Sequence, residues 1–248
     1  MTTPREPQDP FTSPEAPLPP QAQLQPPAAY PPPTHIVVSS ASAPTTVALW
    51  ATILTGAVAA LGLVSAVTAA ARVEDMKTVL ADPQNASPFA GQDPLGLLTG
   101  PLMIASFVFL ALWMARVRSA MAARGEVAGG PPAVEWWGWF VPLGNVVLPF
   151  VGMRAITRRK ASVGIVVGWW VTFCLYWVLS WASVFPTFAA IDISTGELSN
   201  PDALDAMVPL AWAAALTLAV SWAFLALVIR QTTSAERAVA ANSNGSPF

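Results

Sequence analysis

Val163-Gly-Ile-Val-Val-Gly-Trp-Trp-Val-Thr-Phe-Cys-Leu-Tyr-Trp-Val-Leu-Ser-Trp-Ala-Ser-Val-Phe185 contains no charged residue. Apolar side chains occupy every face of the helix this stretch would form. A surface helix of a soluble protein would show a polar face instead. Crossing a hydrocarbon layer of about 30 Å takes about 20 such residues, and a helix satisfies its own backbone there. The segment reads as a membrane span.

Three further runs read the same way. They are Val47 to Ala71, Leu95 to Ala115 (followed by Arg116 and Arg118), and Met207 to Ile229, closed by Arg230. Composition agrees: 54% of the residues are hydrophobic and only 10% charged, against about 25% charged in a soluble domain. The expected fold is an all-α membrane protein with four transmembrane helices, a further broken segment described below, and a disordered proline-rich N-terminal tail. The tail covers 1–46, the transmembrane domain 47–230, and a short cytoplasmic tail 231–248. Thirteen prolines, including Pro31-Pro32-Pro33, lie in the first 46 residues. They remove backbone donors and bar a continuous helix or ladder, so extended, disordered chain is expected there. Such a tail solubilises, or docks a protein partner at low entropic cost.

Trp50, Trp113, Trp169, Trp170 and Trp181 fall near span ends, where amphipathic rings favour the headgroup level. Gly56 with Ala60 and Gly62 with Ala66 repeat small residues at the spacing that lets helices approach closely.

Four crossings place both termini on the same side as the loop 116–162. That side carries Arg5, Arg116, Arg118, Arg124, Arg154, Arg158, Arg159, Lys160, Arg230 and Arg237, ten of the twelve basic residues. The other side carries Arg72, Lys77 and the acids Asp192, Glu197, Asp202 and Asp205. The positive-inside rule predicts cytoplasmic termini in a cell membrane.

One segment breaks the pattern: Glu135-Trp-Trp-Gly-Trp-Phe-Val-Pro-Leu-Gly-Asn-Val-Val-Leu-Pro-Phe150. Its uncharged run is long enough for a borderline fifth span. Pro142, Gly144, Asn145 and Pro149 oppose a continuous helix, because freed backbone groups need partners at membrane depth. A crossing would also divide the arginine clusters between the two sides. The expectation is a broken interfacial or re-entrant element over 136–160. Trp136, Trp137 and Trp139 would lie at the headgroup boundary. Arg154, Arg158, Arg159 and Lys160 would face anionic lipid, each contributing roughly 1 kcal/mol. The residues expected to form a binding segment are Trp137, Trp139, Pro142, Asn145, Pro149, Arg154, Arg158, Arg159 and Lys160.

Trp137-Gly138-Trp139-Phe140-Val141-Pro142, then Asn145, Pro149, Met153 and Ile156, resembles the core signature of the domain-of-unknown-function 4328 family. Those are multi-pass membrane proteins found mainly in actinobacteria. The likeness covers roughly 47–230 and implies a membrane fold without supplying an activity.

Catalytic, cofactor and metal sites are not expected. The only histidine, His35, lies in the tail, and the only cysteine, Cys174, lies inside a span. A Ser-His-Asp triad and a cysteine metal cluster are therefore not expected. No span carries an ionisable residue, which argues against a carboxylate relay. No dense basic domain points to nucleic acid. The reading that remains is a non-enzymatic interaction, assembly or envelope component. Its partners are the lipid bilayer and a protein held through the tail or the basic loop. The alternative is a small oligomeric transporter or channel that uses the broken 136–153 segment, as discontinuous helices do. An enzyme acting on lipid ranks below both.

Orientation can be measured with single cysteines in a Cys174→Ala background. Cysteines replacing Ala81 and Ser194 should label from outside with a membrane-impermeant thiol reagent, and those replacing Ser39 and Gly129 should not. Outside labelling at Gly129 would reverse the orientation.

Overall fold

The computed structural model describes residues 44–82, 94–139, 144–192, 194–195 and 197–244. The expected tail lies outside the described residues up to position 43. Helices follow one another as α1 (Thr45–Val67), α2 (Ala69–Ala81), α3 (Pro94–Ala123), α4 (Val134–Trp137), α5 (Leu148–Thr157), α6 (Val163–Ala182), α7 (Phe185–Ala190) and α8 (Met207–Asn244). Short 3₁₀ turns cover Gly144–Val146 and Pro201–Ala206. Among the described residues, four helical segments, built on α1, α3, α6 and α8, are long and apolar enough to cross a membrane.

Helix ends differ from the ends of the apolar runs. The helix α3 continues past Arg116 to Ala123. It stops where Gly125 turns left-handed at φ 74° and Glu126 N–H bonds back to the Met121 carbonyl, a Schellman-type closure. The helix α8 runs on through 231–244, where a short tail was expected. The first helix instead stops early, at Val67. Thr68 Oγ1 bonds the carbonyls of Val64 and Ser65, and Arg72 donates to the Ser65 carbonyl.

The four long helices form an open arc. The helix α6 packs on α8, α8 on α1, and α1 on α3. Glycines allow the close passages. A Cβ on Gly56 would lie 2.9 Å from the Trp222 indole nitrogen, which donates to the Thr52 carbonyl at 3.1 Å. A Cβ on Gly168 would lie 3.1 Å from the Phe224 ring. Gly56 and Gly62 thus face α8, whereas Ala60 is exposed.

The helices α3 and α6, at the two ends of the arc, do not pack along their length. The broken segment fills part of the gap as a helical hairpin. Its register is visible in the glycines. A Cβ on Gly130 would touch Val151 and Ala155, one on Gly152 would touch Val134, and one on Gly138 would touch Leu148. The α4 and α5 limbs therefore run antiparallel and return to the end of the bundle they left. Glu135 sits beside Arg118 near the end of α3, while Trp139 reaches Phe107, well inside that helix. The two limbs thus fold back on each other as a broken helical element. Residues 140–143, and with them Pro142, lie outside the described residues.

At the end of the bundle opposite Arg116–Arg124, α2, α7 and the Pro201–Ala206 turn pack around buried Val73, Ala190 and Leu204. Lys77 ties them together, 2.6 Å from Asp205 and 2.9 Å from Glu74. Hydrogen bonds to Asp205, then to Glu74, raise its pKa above the ordinary lysine range.

The hairpin has no room for a side chain at Gly138. A Cβ there would stand 2.5 Å from the Val134 carbonyl oxygen and 3.1 Å from Leu148 Cβ. Gly138→Val should destabilise the protein by about 1–3 kcal/mol, read as a lower melting temperature in detergent. Gly100→Val, where a Cβ would meet nothing within 4 Å, should not lower it.

Candidate functional site

The hairpin meets the bundle through one ring system and one set of charges. Trp139 is the ring system. Its indole stacks on Phe107 of α3 with centroids 4.8 Å apart, and meets the Phe173 ring of α6 edge-on at 6.2 Å. Below it, towards the basic end, Trp113, Met114, Val117, Met153, Ile156 and Val166 are fully buried. Trp113 and Trp169, expected at the headgroup level, lie in this core, and Trp113 Nε1 donates to Thr233 Oγ1 at 3.1 Å.

Within 116–162 and 230–248 the only acids are Glu126, Glu135 and Glu236. Each pairs with a base. Glu135 is buried, with Oε2 3.3 Å from Arg118 Nε. Glu236, 2% exposed, takes both arms of the Arg124 guanidinium at 2.8 and 3.1 Å. Lys160 Nζ lies 2.5 Å from Glu236 Oε1. Glu126 accepts from Arg124 Nε at 2.7 Å. Hydrogen bonds to Glu236, then to Glu126, hold the Arg124 pKa above its ordinary value. This node joins α3, α8 and the turn after α5.

Three of the nine basic residues in those segments are thereby neutralised: Arg118, Arg124 and Lys160. Among the described residues, the other six (Arg116, Arg154, Arg158, Arg159, Arg230 and Arg237) form no ion pair. All of these except half-buried Arg154 are exposed. Arg159 adopts a left-handed backbone, φ 62°.

The expected binding segment therefore divides. Trp137 is exposed at the basic end, its Nε1 bonded to the Pro132 carbonyl at 2.9 Å. Trp139 goes inward instead of to the headgroup boundary. Pro149 is buried in the first turn of α5, where its missing N–H costs no hydrogen bond. Asn145 lies in the Gly144–Val146 turn, and its side chain is outside the described residues. Arg158 and Arg159 are exposed and Arg154 is half-buried. Lys160 does not face lipid: its ammonium turns into the bundle, because the buried Glu236 carboxylate requires a cation.

The sequence reading missed Glu135, Glu236, Arg118 and Arg124. One signal for them was present: three acids isolated among nine bases within 116–162 and 230–248. Among the described residues, no three His, Cys, Asp or Glu side chains gather into a group that could hold a metal ion.

Four spanning helices, a hairpin folded back between two of them, and a cationic end define a multi-pass membrane protein. A family model described as "Domain of unknown function (DUF4328)" matches residues 92–234, and the chain belongs to that family. The match takes in α3, the hairpin, α6 and most of α8. No curated protein matches the chain, and no solved structure does.

Removing one partner from a buried ion pair costs about 3–5 kcal/mol, since the charge left behind is desolvated. Glu236→Ala should therefore unfold at markedly lower denaturant in a detergent unfolding titration. Glu126→Ala removes a half-exposed partner and should change stability by less than about 1 kcal/mol.

Proposed function

We propose that this protein is a non-catalytic component of the cell membrane that holds an acidic protein partner against the cytoplasmic face. The observation that carries this reading is the charge at the basic end. The local acids are all engaged in ion pairs, and six arginines are left without a carboxylate. A cationic surface of that kind steers and orients an acidic partner. The asymmetry of Lys and Arg across the spans supports cytoplasmic termini, and a proline-rich tail on that side would serve as a second docking arm.

A small transporter is the second reading. One observation favours it: the hairpin brings non-helical backbone well into the span, as discontinuous helices do in transporters. Against it, the buried side chains of Leu110, Trp113, Trp169 and Leu225 fill the bundle between the tip of the hairpin and the basic end.

The test uses crosslinking in intact cells. The full chain should crosslink to a discrete protein through the 154–159 region. The double variant Arg158→Glu, Arg159→Glu should lose that partner and keep the detergent melting temperature, since neither side chain makes an ion pair. Retention of the same partner by the double variant would overturn the reading.

A further inference from the structure

The hairpin closes only the basic half of the gap between α3 and α6. In the other half a groove of about 780 Å³ remains. Its floor is Trp139 and Val146 at the hairpin tip. One wall is Met103 and Phe107 of α3, and the other is the face of α6 that carries Cys174 and Trp177. From Trp170 to Ala182 the α6 side runs about 18 Å at 1.5 Å per residue, with Phe185 at the start of α7 beyond it. The lining side chains are apolar, and Trp177, Val178, Trp181 and Phe185 among them are exposed, which leaves the groove open along the α6 side of the bundle.

We infer that this groove binds one acyl chain of a bilayer phospholipid. The volume lies within the roughly 300–1,000 Å³ of ordinary ligand pockets. The position decides the class of ligand, because a lateral opening between two spans is reached from the hydrocarbon layer and not from water. The floor decides between a lipid chain and a helix of a second copy. A spanning helix needs the full thickness of about 30 Å, and Trp139 and Val146 stop the groove at about three-fifths of that. A single chain entering from the leaflet at the acidic end runs down along Trp181 and Trp177 and terminates on the Trp139 ring. This inference is independent of the docking proposed for the basic face, which lies on the other side of the hairpin floor.

The only cysteine of the protein, Cys174, lines the groove, so the unaltered full chain reports on occupancy. The protein is purified in mild detergent, one portion is stripped of lipid with excess detergent, and Cys174 is alkylated with N-ethylmaleimide. Stripping should raise the alkylation rate several-fold. Reconstitution into phosphatidylethanolamine–phosphatidylglycerol vesicles should restore protection. Native mass spectrometry before stripping should show one retained phospholipid. That lipid should be lost in Val178→Trp, which fills the groove, and kept in Ile53→Trp, on the exposed face of α1. An alkylation rate that is indifferent to lipid would overturn the inference. Equal retention by the two tryptophan variants would do the same, since it marks ordinary annular lipid. A Cys174–Cys174 disulfide between two copies on mild oxidation would assign the groove to a second copy instead.

Discussion

Everything at the centre of this bundle depends on one indole. The helices α3 and α6 stand too far apart to pack on each other, and Trp139 bridges them by stacking on Phe107 and meeting Phe173 at its edge. Each such aromatic contact contributes about 0.5–1.5 kcal/mol beyond the area it buries. The larger effect is geometric. With Trp139 in place, the arc α6–α8–α1–α3 is closed at one level, and the α4–α5 limbs are held against the bundle. Without it, the hairpin would have no fixed depth. Non-helical backbone inside a span needs protein partners, and Phe107 of α3 and Phe173 of α6 supply them at Trp139.

The charges follow from the same closure. Folding the hairpin back places Glu135 against Arg118, and the turn that follows α5 delivers Lys160 to Glu236. Buried carboxylates need cations, so three bases are engaged, and of the remaining arginines all but half-buried Arg154 are exposed. The cationic character of that end is thus a remainder, set by how many acids the fold buries.

The four spans were legible because apolar residues in unbroken runs have one stable environment. The helix limits were not, because hydropathy and helicity are different quantities. Arg116 and Arg230 mark where apolar surface stops, but an arginine does not end a helix; Gly125 does, and α8 continues to Asn244. Pro142, Gly144, Asn145 and Pro149 made the break readable. The inward turn of Trp139 was hidden, since a tryptophan beside a span serves an interface and a core equally well. The Arg124–Glu236 pair, 112 residues apart in sequence, depended on helix order around the bundle, which no local pattern encodes.

The helix α8 spans 38 residues without a break, about 57 Å at 1.5 Å per residue. The hydrocarbon layer takes up only about 30 Å of that. The excess carries α8 beyond the layer. At one end it abuts the Pro201–Ala206 turn, whose Asp205 is held by Lys77; at the other, Glu236 is buried and held by Arg124 and Lys160. The two poles of the molecule are therefore joined by a single continuous helix, anchored by an ion pair at each end, with no loop between them.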